Sequence, residues 1–230
     1  MAARTTPSAA VVGLTLAGVA LMAWSFFAPM WWVSLTAPNY PKESFPSGVR
    51  IHMHWNRVAN GCEAGRSAEI QEDEPLDCVE EMDTINHYIG MHPIAKGAQL
   101  ELAAAPWLFV AFGALALLGL VYQGPLWWLL FVPAIALPVA FLVDFSAWLW
   151  WFGHNLHPWA AFTVKPFMPT VLGEGKVAQF STYAYPHYGF ALSVASAACL
   201  ALALLRRRKE LQGAAAPAAA PGGGLREVRA

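Results

Sequence analysis

Four long apolar segments constrain the fold of this chain more than any other feature. They run from about Ala9 to Phe27, Leu102 to Val121, Leu126 to Trp150 and Tyr188 to Leu205. An α-helix needs about 20 apolar residues to cross the hydrocarbon core of a bilayer. The chain of 230 residues is also 57% hydrophobic, which is too apolar for one soluble domain. We therefore predict an all-α membrane protein with four transmembrane helices in a lipid bilayer.

Basic residues predict the orientation of these helices. The cluster Arg206–Lys209 follows the fourth apolar segment directly, and lysine and arginine beside a span favour the cytoplasmic side. An even number of spans then places the N-terminus, with Arg4, on that side too. The first apolar segment is longer than the core of a typical signal peptide, so we expect an uncleaved anchor. The predicted location is a bacterial inner membrane, with both termini in the cytoplasm.

The spans divide the chain into six predicted regions. These are 1–35 (cytoplasmic N-terminus and first helix), 36–101 (first periplasmic loop), 102–150 (second and third helices), 151–187 (second periplasmic loop), 188–205 (fourth helix) and 206–230 (disordered cytoplasmic tail). Within the first loop, Val49–Val58 alternates between apolar and polar residues, which is typical of a β-strand. We therefore expect a small extracytoplasmic cap that contains β structure.

Two cysteines in the first loop predict a crosslink. Cys62 and Cys78 would face an oxidising compartment, in which a disulfide can persist. A loop of this length gains about 3 kcal/mol from the crosslink in the chain-entropy account. The alternative is a pair of metal ligands, but the two cysteines lack the close C-x-x-C spacing of zinc sites. We therefore favour the disulfide.

Histidines indicate the candidate functional site, because all seven lie in the two outer loops. Imidazole suits copper among other transition metals, and a thioether favours Cu(I). A strand would place His52 and His54 on one polar face, roughly 7 Å apart. His87, Met91 and His92 follow in the same loop, and a helix there would put His87 and Met91 on one face. These five residues form one candidate copper site, with solvated strand and turn residues as the alternative.

The second loop supplies a second candidate copper site, or part of the first. His154 and His157 follow the third apolar segment at a spacing that shares a helical face. Pro158 disfavours helical backbone at His157, however. His187 lies where the fourth segment begins. We expect these three histidines to flank the same membrane interface.

One carboxyl group lies inside a predicted span. Asp144 is about 9 Å below the outer end of the third apolar segment by helical rise. An ionisable group at that depth is costly and usually faces the helix bundle or a water-filled cavity. Proton transfer, contact with a cation from the histidines and a hydrogen bond to a neighbouring helix are the functional interpretations. A structural carboxyl group is the alternative.

Two stretches of sequence, together with the four spans, carry a resemblance to a family. The stretches Asn86–Met91 and Lys165–Glu174 resemble the NosB-like small membrane proteins associated with nitrous-oxide reductase gene clusters. The resemblance covers most of the chain up to about Leu205. It implies an accessory role in the maturation of, or electron supply to, a periplasmic copper enzyme. It carries no catalytic residues across.

Three classes of function remain at this point. The leading one is a membrane accessory protein that binds copper transiently and has a membrane or periplasmic protein of a copper enzyme system as its partner. The alternatives are a structural subunit of a membrane redox complex and an electron carrier linked to haem b or quinone. No nucleophile and base have a recognisable spacing, so we predict no enzymatic activity. No basic surface or glycine-rich phosphate loop predicts nucleic-acid or nucleotide binding.

Overall fold

The computed structural model describes residues 6–62, 76–161, 163–177 and 179–215. Within these residues, the helices are α1 (Ala9–Phe27), α2 (Cys78–Tyr88), α3 (Gln99–Val121), α4 (Val132–His154) and α5 (Tyr188–Ala215). The strands are β1 (Trp31–Thr36), β2 (Val49–Met53), β3 (Val58–Asn60), β4 (Gly173–Val177) and β5 (Phe180–Pro186). Short 3-10 helices cover Ile94–Lys96 and Trp127–Leu130. Arg4 and the predicted disordered tail beyond residue 215 lie outside the described residues.

Four of the described helices, α1, α3, α4 and α5, are long and apolar enough to cross a membrane. Each has a stretch whose mean hydropathy is between 1.8 and 2.1, and most residues of these stretches are not buried inside the protein. Large apolar side chains therefore face outward, for example Trp107 at 77% exposure and Phe27 at 70%. The prediction of four apolar helices of membrane-spanning length is confirmed.

Helix α1 packs along α5 through small residues. A Cβ at Gly18 would lie 2.7 Å from the Leu200 side chain, so the two helices approach closely only because this residue has no side chain. The Ser196 hydroxyl donates a hydrogen bond of 2.7 Å to the Gly18 carbonyl oxygen. Small residues and hydroxyl groups of this kind stabilise helix pairs in apolar surroundings.

Helix α5 is longer than its apolar segment. It continues through the basic cluster to Ala215, so residues 206–215, predicted as part of a disordered tail, are helical. Arginine, lysine, glutamate, leucine and glutamine are all good helix formers. Arg207 also forms an ion pair with Glu210 one turn later, with 3.3 Å between nitrogen and oxygen. Helical propensity and this local pair therefore extend the helix beyond the point at which hydropathy falls.

The two predicted outer loops form one antiparallel sheet. Its strand order is β3-β2-β1-β5-β4, so the central strand β1 pairs with β2 of the first loop on one side and with β5 of the second loop on the other. Strand β1 begins at Trp31, which means that the segment 31–35, grouped with the first helix in the prediction, is extended. Pro29 and the aromatic and branched residues after it favour this change from helix to strand. We call the sheet, α2 and their connecting loops the cap.

Helix α2 covers one face of the sheet and closes the cap core. Met82 and Ile85 of α2 pack with Val49 and Ile51 of β2. The sulfur atoms of Cys62 and Cys78 lie at disulfide-bonding distance, and their Cα atoms are 5.9 Å apart. The crosslinked pair predicted from the sequence thus joins the segment after β3 to the start of α2.

Candidate functional site: paired histidines on the cap

In the cap, histidines from the first loop form pairs with histidines from the second loop. His92 of the first loop contacts His157 of the second, and His52 of the first contacts His187 of the second. The sequence predicted two groups of histidines, one mainly within each loop. The observed pairs differ from these groups, because the sheet and the turns of the cap bring distant segments together.

His92 and His157 form the closest of these pairs. The Nε2 atom of His157 lies 2.9 Å from the Nδ1 atom of His92, and the two ring centroids are 4.1 Å apart. One of the nitrogens carries a hydrogen and donates it to the other. The Nζ atom of Lys96 also lies 3.4 Å from the same Nδ1 atom. Two imidazole nitrogens therefore converge on one small space at the edge of the cap.

Tryptophan rings hold the pair in place. The ring of His92 stacks on Trp151, with 5.0 Å between centroids, and the ring of His157 stacks on Trp159 at 4.7 Å. His87 contacts the same Trp159 ring at 4.6 Å. A third imidazole thus lies beside the pair, with an indole ring in contact with both His87 and His157.

A tight turn places His92 against the second loop. Helix α2 ends at Tyr88, and Gly90 adopts a positive φ of 79° that other residues rarely tolerate. The carbonyl oxygen of Gly90 accepts a hydrogen bond of 2.7 Å from the backbone N–H of His157. This backbone contact fixes the distance between the segment that carries His92 and the segment that carries His157.

Met91 and His154 lie apart from the pair. The turn at Gly90 ends the helix, so His87 and Met91 do not occupy one helical face. Met91 is only 9% exposed and packs in an apolar cluster with Ile89 and Phe152. His154 is exposed, stacks on Trp150 and donates from Nδ1 to that residue's carbonyl oxygen at 2.9 Å. Neither side chain is placed with the paired imidazoles.

A second pair lies on the sheet. His52 of β2 and His187, between β5 and α5, have ring centroids 5.2 Å apart. The Nδ1 atom of His187 accepts a hydrogen bond from the backbone N–H of Tyr188, which leaves Nε2 as the nitrogen available to a ligand. Burial and the neighbouring Arg50 lower the pKa of His187, and burial is the larger cause. This pair is looser than the pair formed by His92 and His157.

His54 lies beyond the end of the strand on which it was predicted. Strand β2 ends at Met53, and the backbone N–H of His54 donates to the Arg57 carbonyl oxygen in the turn to β3. The strict alternation through residue 58 is therefore interrupted by a hairpin. Burial, followed by the positive charge of Arg57, lowers the pKa of His54 to about 4.

The low pKa of His54 predicts a loss of stability in acid. The unfolded chain takes up a proton near pH 6.5, whereas the folded protein takes it up near pH 4. The unfolded state binds more protons between these values, so the free energy of unfolding falls as the pH falls through this window. A His54→Gln variant, which cannot titrate, should lose less stability than the wild-type protein between pH 7 and pH 4. Thermal unfolding in detergent at both pH values measures this, and equal losses in the two proteins would contradict it.

The electrostatic environment keeps His92 neutral near pH 7. Burial lowers its pKa, and the nearby His157 and Lys96 lower it further. A neutral imidazole is the form that binds metal ions. Across the described part of the chain, no three histidine, cysteine, aspartate or glutamate side chains are arranged to hold an ion together. The cap therefore offers pairs of imidazole nitrogens and not a closed metal cage.

Tryptophans at the ends of apolar spans usually form an interfacial aromatic belt. In this structure, Trp151 and Trp159 instead stack on histidines. Trp31 is also not a belt residue, because it is 3% exposed and donates a hydrogen bond to the Val171 carbonyl oxygen. The proximity of tryptophan and histidine in the segment Trp150–Trp159, at the end of α4 and just after it, is a sequence signal that could have indicated the stacking.

Asp144 lies near the middle of α4. It is part of the wall of a cavity beneath the cap, between α3 and α4. The helix continues to His154, so Asp144 lies about 15 Å from the helix end by helical rise.

Comparison with known proteins identifies no family for this chain. No protein-family model matches it, and no curated protein is similar to it. The resemblance to NosB-like proteins rests on the stretches Asn86–Met91 and Lys165–Glu174 and stays a prediction. The function of the protein is therefore inferred from the geometry of its cap.

Proposed function

We propose that this protein is a multi-pass membrane accessory protein whose cap binds copper transiently, through His92 and His157, for delivery to a copper enzyme. In this proposal, α1, α3, α4 and α5 cross the bilayer, and the cap lies on its outer side. The single observation that carries the proposal is the 2.9 Å approach of two imidazole nitrogens from different loops. The NosB-like resemblance suggests nitrous-oxide reductase as the enzyme served.

The distance between the two nitrogens suits a shared ion after a small movement. An imidazole nitrogen lies about 2.0–2.1 Å from a bound zinc ion, and other first-row ions bind at similar distances. Two nitrogens on one ion are therefore about 3–4 Å apart. A small rotation of the His92 and His157 rings would break their hydrogen bond and move the two nitrogens from 2.9 Å apart to this distance.

Two ligands suit transfer better than storage. Imidazole binds Cu(II) more strongly than the other divalent first-row ions, and Cu(I) is stable with only two or three ligands. A pair of histidines leaves coordination positions open, which a partner protein can fill with its own ligands. His87 and the looser pair of His52 and His187 provide further imidazoles on the same cap.

Copper titration of the full chain in detergent tests this proposal. We expect about one Cu(I) ion per chain, measured under anaerobic conditions against a chromogenic Cu(I) chelator. His92→Ala and His157→Ala should each weaken binding by at least about tenfold. His154→Ala is the matched control, because this exposed histidine lies three residues from His157 but outside the pair. Its affinity should equal that of the wild-type protein.

Two results would overturn the proposal. The first is copper binding no stronger than that of an unrelated membrane protein in the same detergent. The second is equal affinity in the wild-type, His92→Ala and His157→Ala proteins. If the protein binds no copper but deletion of its gene disrupts a membrane redox complex, a structural subunit becomes the better interpretation. A haem Soret band in the purified protein would support the electron carrier instead.

A further inference from the structure

A cavity of about 360 Å³ lies beneath the cap between α3 and α4. This volume is in the range of sites that bind small molecules and cofactors. Most of its wall is apolar, and aromatic rings are prominent in it, including Trp55, Phe109, Phe141 and Trp148. Flat aromatic walls favour a flat ring, because stacked and edge-to-face contacts stabilise it beyond the burial of apolar area.

Polar groups at this cavity lack partners. The Nδ1 atom of His54 and the Nε1 atom of Trp55 are both buried, and neither has a hydrogen-bond partner among the described residues. A buried polar atom without a partner costs free energy, which a ligand with a matching group would recover. These two neighbouring residues therefore require a group that can both donate and accept hydrogen bonds.

Two carboxyl groups restrict the charge of the ligand. Asp144 of α4 and Glu101 of α3 are both part of the cavity wall, and they interact electrostatically with each other. Two acidic groups repel an anionic head group, such as that of a fatty acid or an acidic phospholipid. They accept hydrogen bonds from hydroxyl groups, as does a neutral imidazole nitrogen. The cavity thus fits an uncharged ligand with hydroxyl groups on a flat ring.

The cavity opens on the outer surface of the helices, between α3 and α4. Leu108 of α3 and Ala140 of α4 belong to its wall and are also exposed on the outer surface of the helices. If α3 and α4 cross a bilayer, this opening faces the lipid. A ligand that enters there must itself dissolve in the bilayer.

We infer that the cavity binds a lipid-soluble quinol, with its ring between the aromatic walls and its hydroxyl groups on His54, Trp55 and Asp144. This inference shares with the copper proposal only the placement of the helices in a bilayer. The histidine pair of His92 and His157 takes no part in it. Quinol binding and copper binding can therefore be tested, and can fail, separately.

Equilibrium binding of ubiquinol-1 to the full chain in detergent tests the inference. We expect saturable binding and a rise in the thermal unfolding temperature, because a ligand that binds only the folded state stabilises it. Oleate, which carries an anionic head group, should neither bind in the cavity nor compete. The His92→Ala protein should bind ubiquinol-1 normally.

Variants at the opening and in the wall locate the site. Ala140→Phe adds a ring at the exposed edge of the cavity and should abolish binding without disturbing the core. Asp144→Asn keeps the shape of the side chain and should weaken binding by about tenfold, because an amide NH₂ group replaces one carboxyl oxygen and cannot accept a hydrogen bond. Ala103→Phe is the control, because Ala103 is exposed on the opposite face of α3.

The outcomes separate this inference from its rivals. Equal ubiquinol-1 affinity in the wild-type and Ala140→Phe proteins would overturn it, since the ligand would then lie elsewhere. Competition by oleate as effective as that of ubiquinol-1 would also overturn it, and would indicate a general site for acyl chains. Loss of binding in Ala103→Phe as well as in Ala140→Phe would mean that the effect does not come from the cavity.

Discussion

Removal of the crosslink between Cys62 and Cys78 is expected to lower the free energy of unfolding of the cap by about 3 kcal/mol. The two cysteines are 16 positions apart in the sequence, and the crosslink restricts the unfolded chain between them. It also anchors the first residue of α2, where Cys78 is fully buried, to the edge of the sheet. Without it, α2 and the sheet are held together mainly by their apolar contacts.

Hydrogen exchange of the cap amides measures this effect. In a Cys62→Ala, Cys78→Ala protein, amides in β1 and β2 should exchange about 100-fold faster, which corresponds to roughly 3 kcal/mol. Amides in the middle of α1 and α5 should not change. Cys199→Ala is the control, since this free cysteine of α5 is outside the cap. Unchanged exchange in the cap of the double variant would show that the crosslink does not stabilise it.

The apolar helices were predictable because their signal is local. A helix of membrane-spanning length must be apolar over nearly all of its sequence, whatever it packs against. For this reason the start of α1 at Ala9 was predicted correctly, although residues 31–35 were grouped with this helix and form a strand. The end of α5 was less predictable, because hydropathy falls at Arg206 whereas helical propensity does not.

The sheet was predictable only in part, because its strands depend on distant partners. Val49–Met53 alternates clearly and was predicted as a strand. Strands β4 and β5 were not predicted, and β5 pairs with β1 at a sequence distance of about 150 residues. The aromatic and β-branched residues of Phe180–Pro186 indicate a strand in retrospect. The sequence alone does not reveal that both loops share one sheet.

The sequence predicted that histidines form the candidate site, but it did not predict which histidines lie next to each other. Histidine in the outer loops indicated where ligand chemistry lies, and five of the seven histidines contact another histidine or line the cavity. Which histidines meet depends on backbone turns. The positive φ of Gly90 separates Met91 from His87, and the sheet brings His187 to His52.

Gly90→Ala is expected to separate His92 from His157 and to weaken copper binding by at least about tenfold. A Cβ at this position would lie 2.9 Å from both the His157 carbonyl oxygen and the Ala160 Cβ. The hydrogen bond of 2.7 Å from the His157 backbone N–H to the Gly90 carbonyl oxygen leaves the two segments little room to adjust. The second loop must therefore move outward, and His157 moves with it.

The positive φ adds a separate cost, which a matched variant isolates. An alanine held at this φ is destabilised by about 1–3 kcal/mol. Gly173 has a similar φ of 92°, but a Cβ there meets no atom within 4 Å. Gly173→Ala should therefore lower the thermal stability while leaving copper affinity unchanged. Gly90→Ala should lower both.

The comparison of these two variants decides whether the turn positions the copper ligands. Chelator competition gives the Cu(I) affinity and thermal unfolding gives the stability of each protein in the same detergent. If both variants lose the same stability and both keep wild-type affinity, the contact between Gly90 and the second loop is structural only. If only Gly90→Ala loses affinity, the close approach of His92 and His157 is what binds the ion, because backbone strain is common to both variants and displacement of His157 is not.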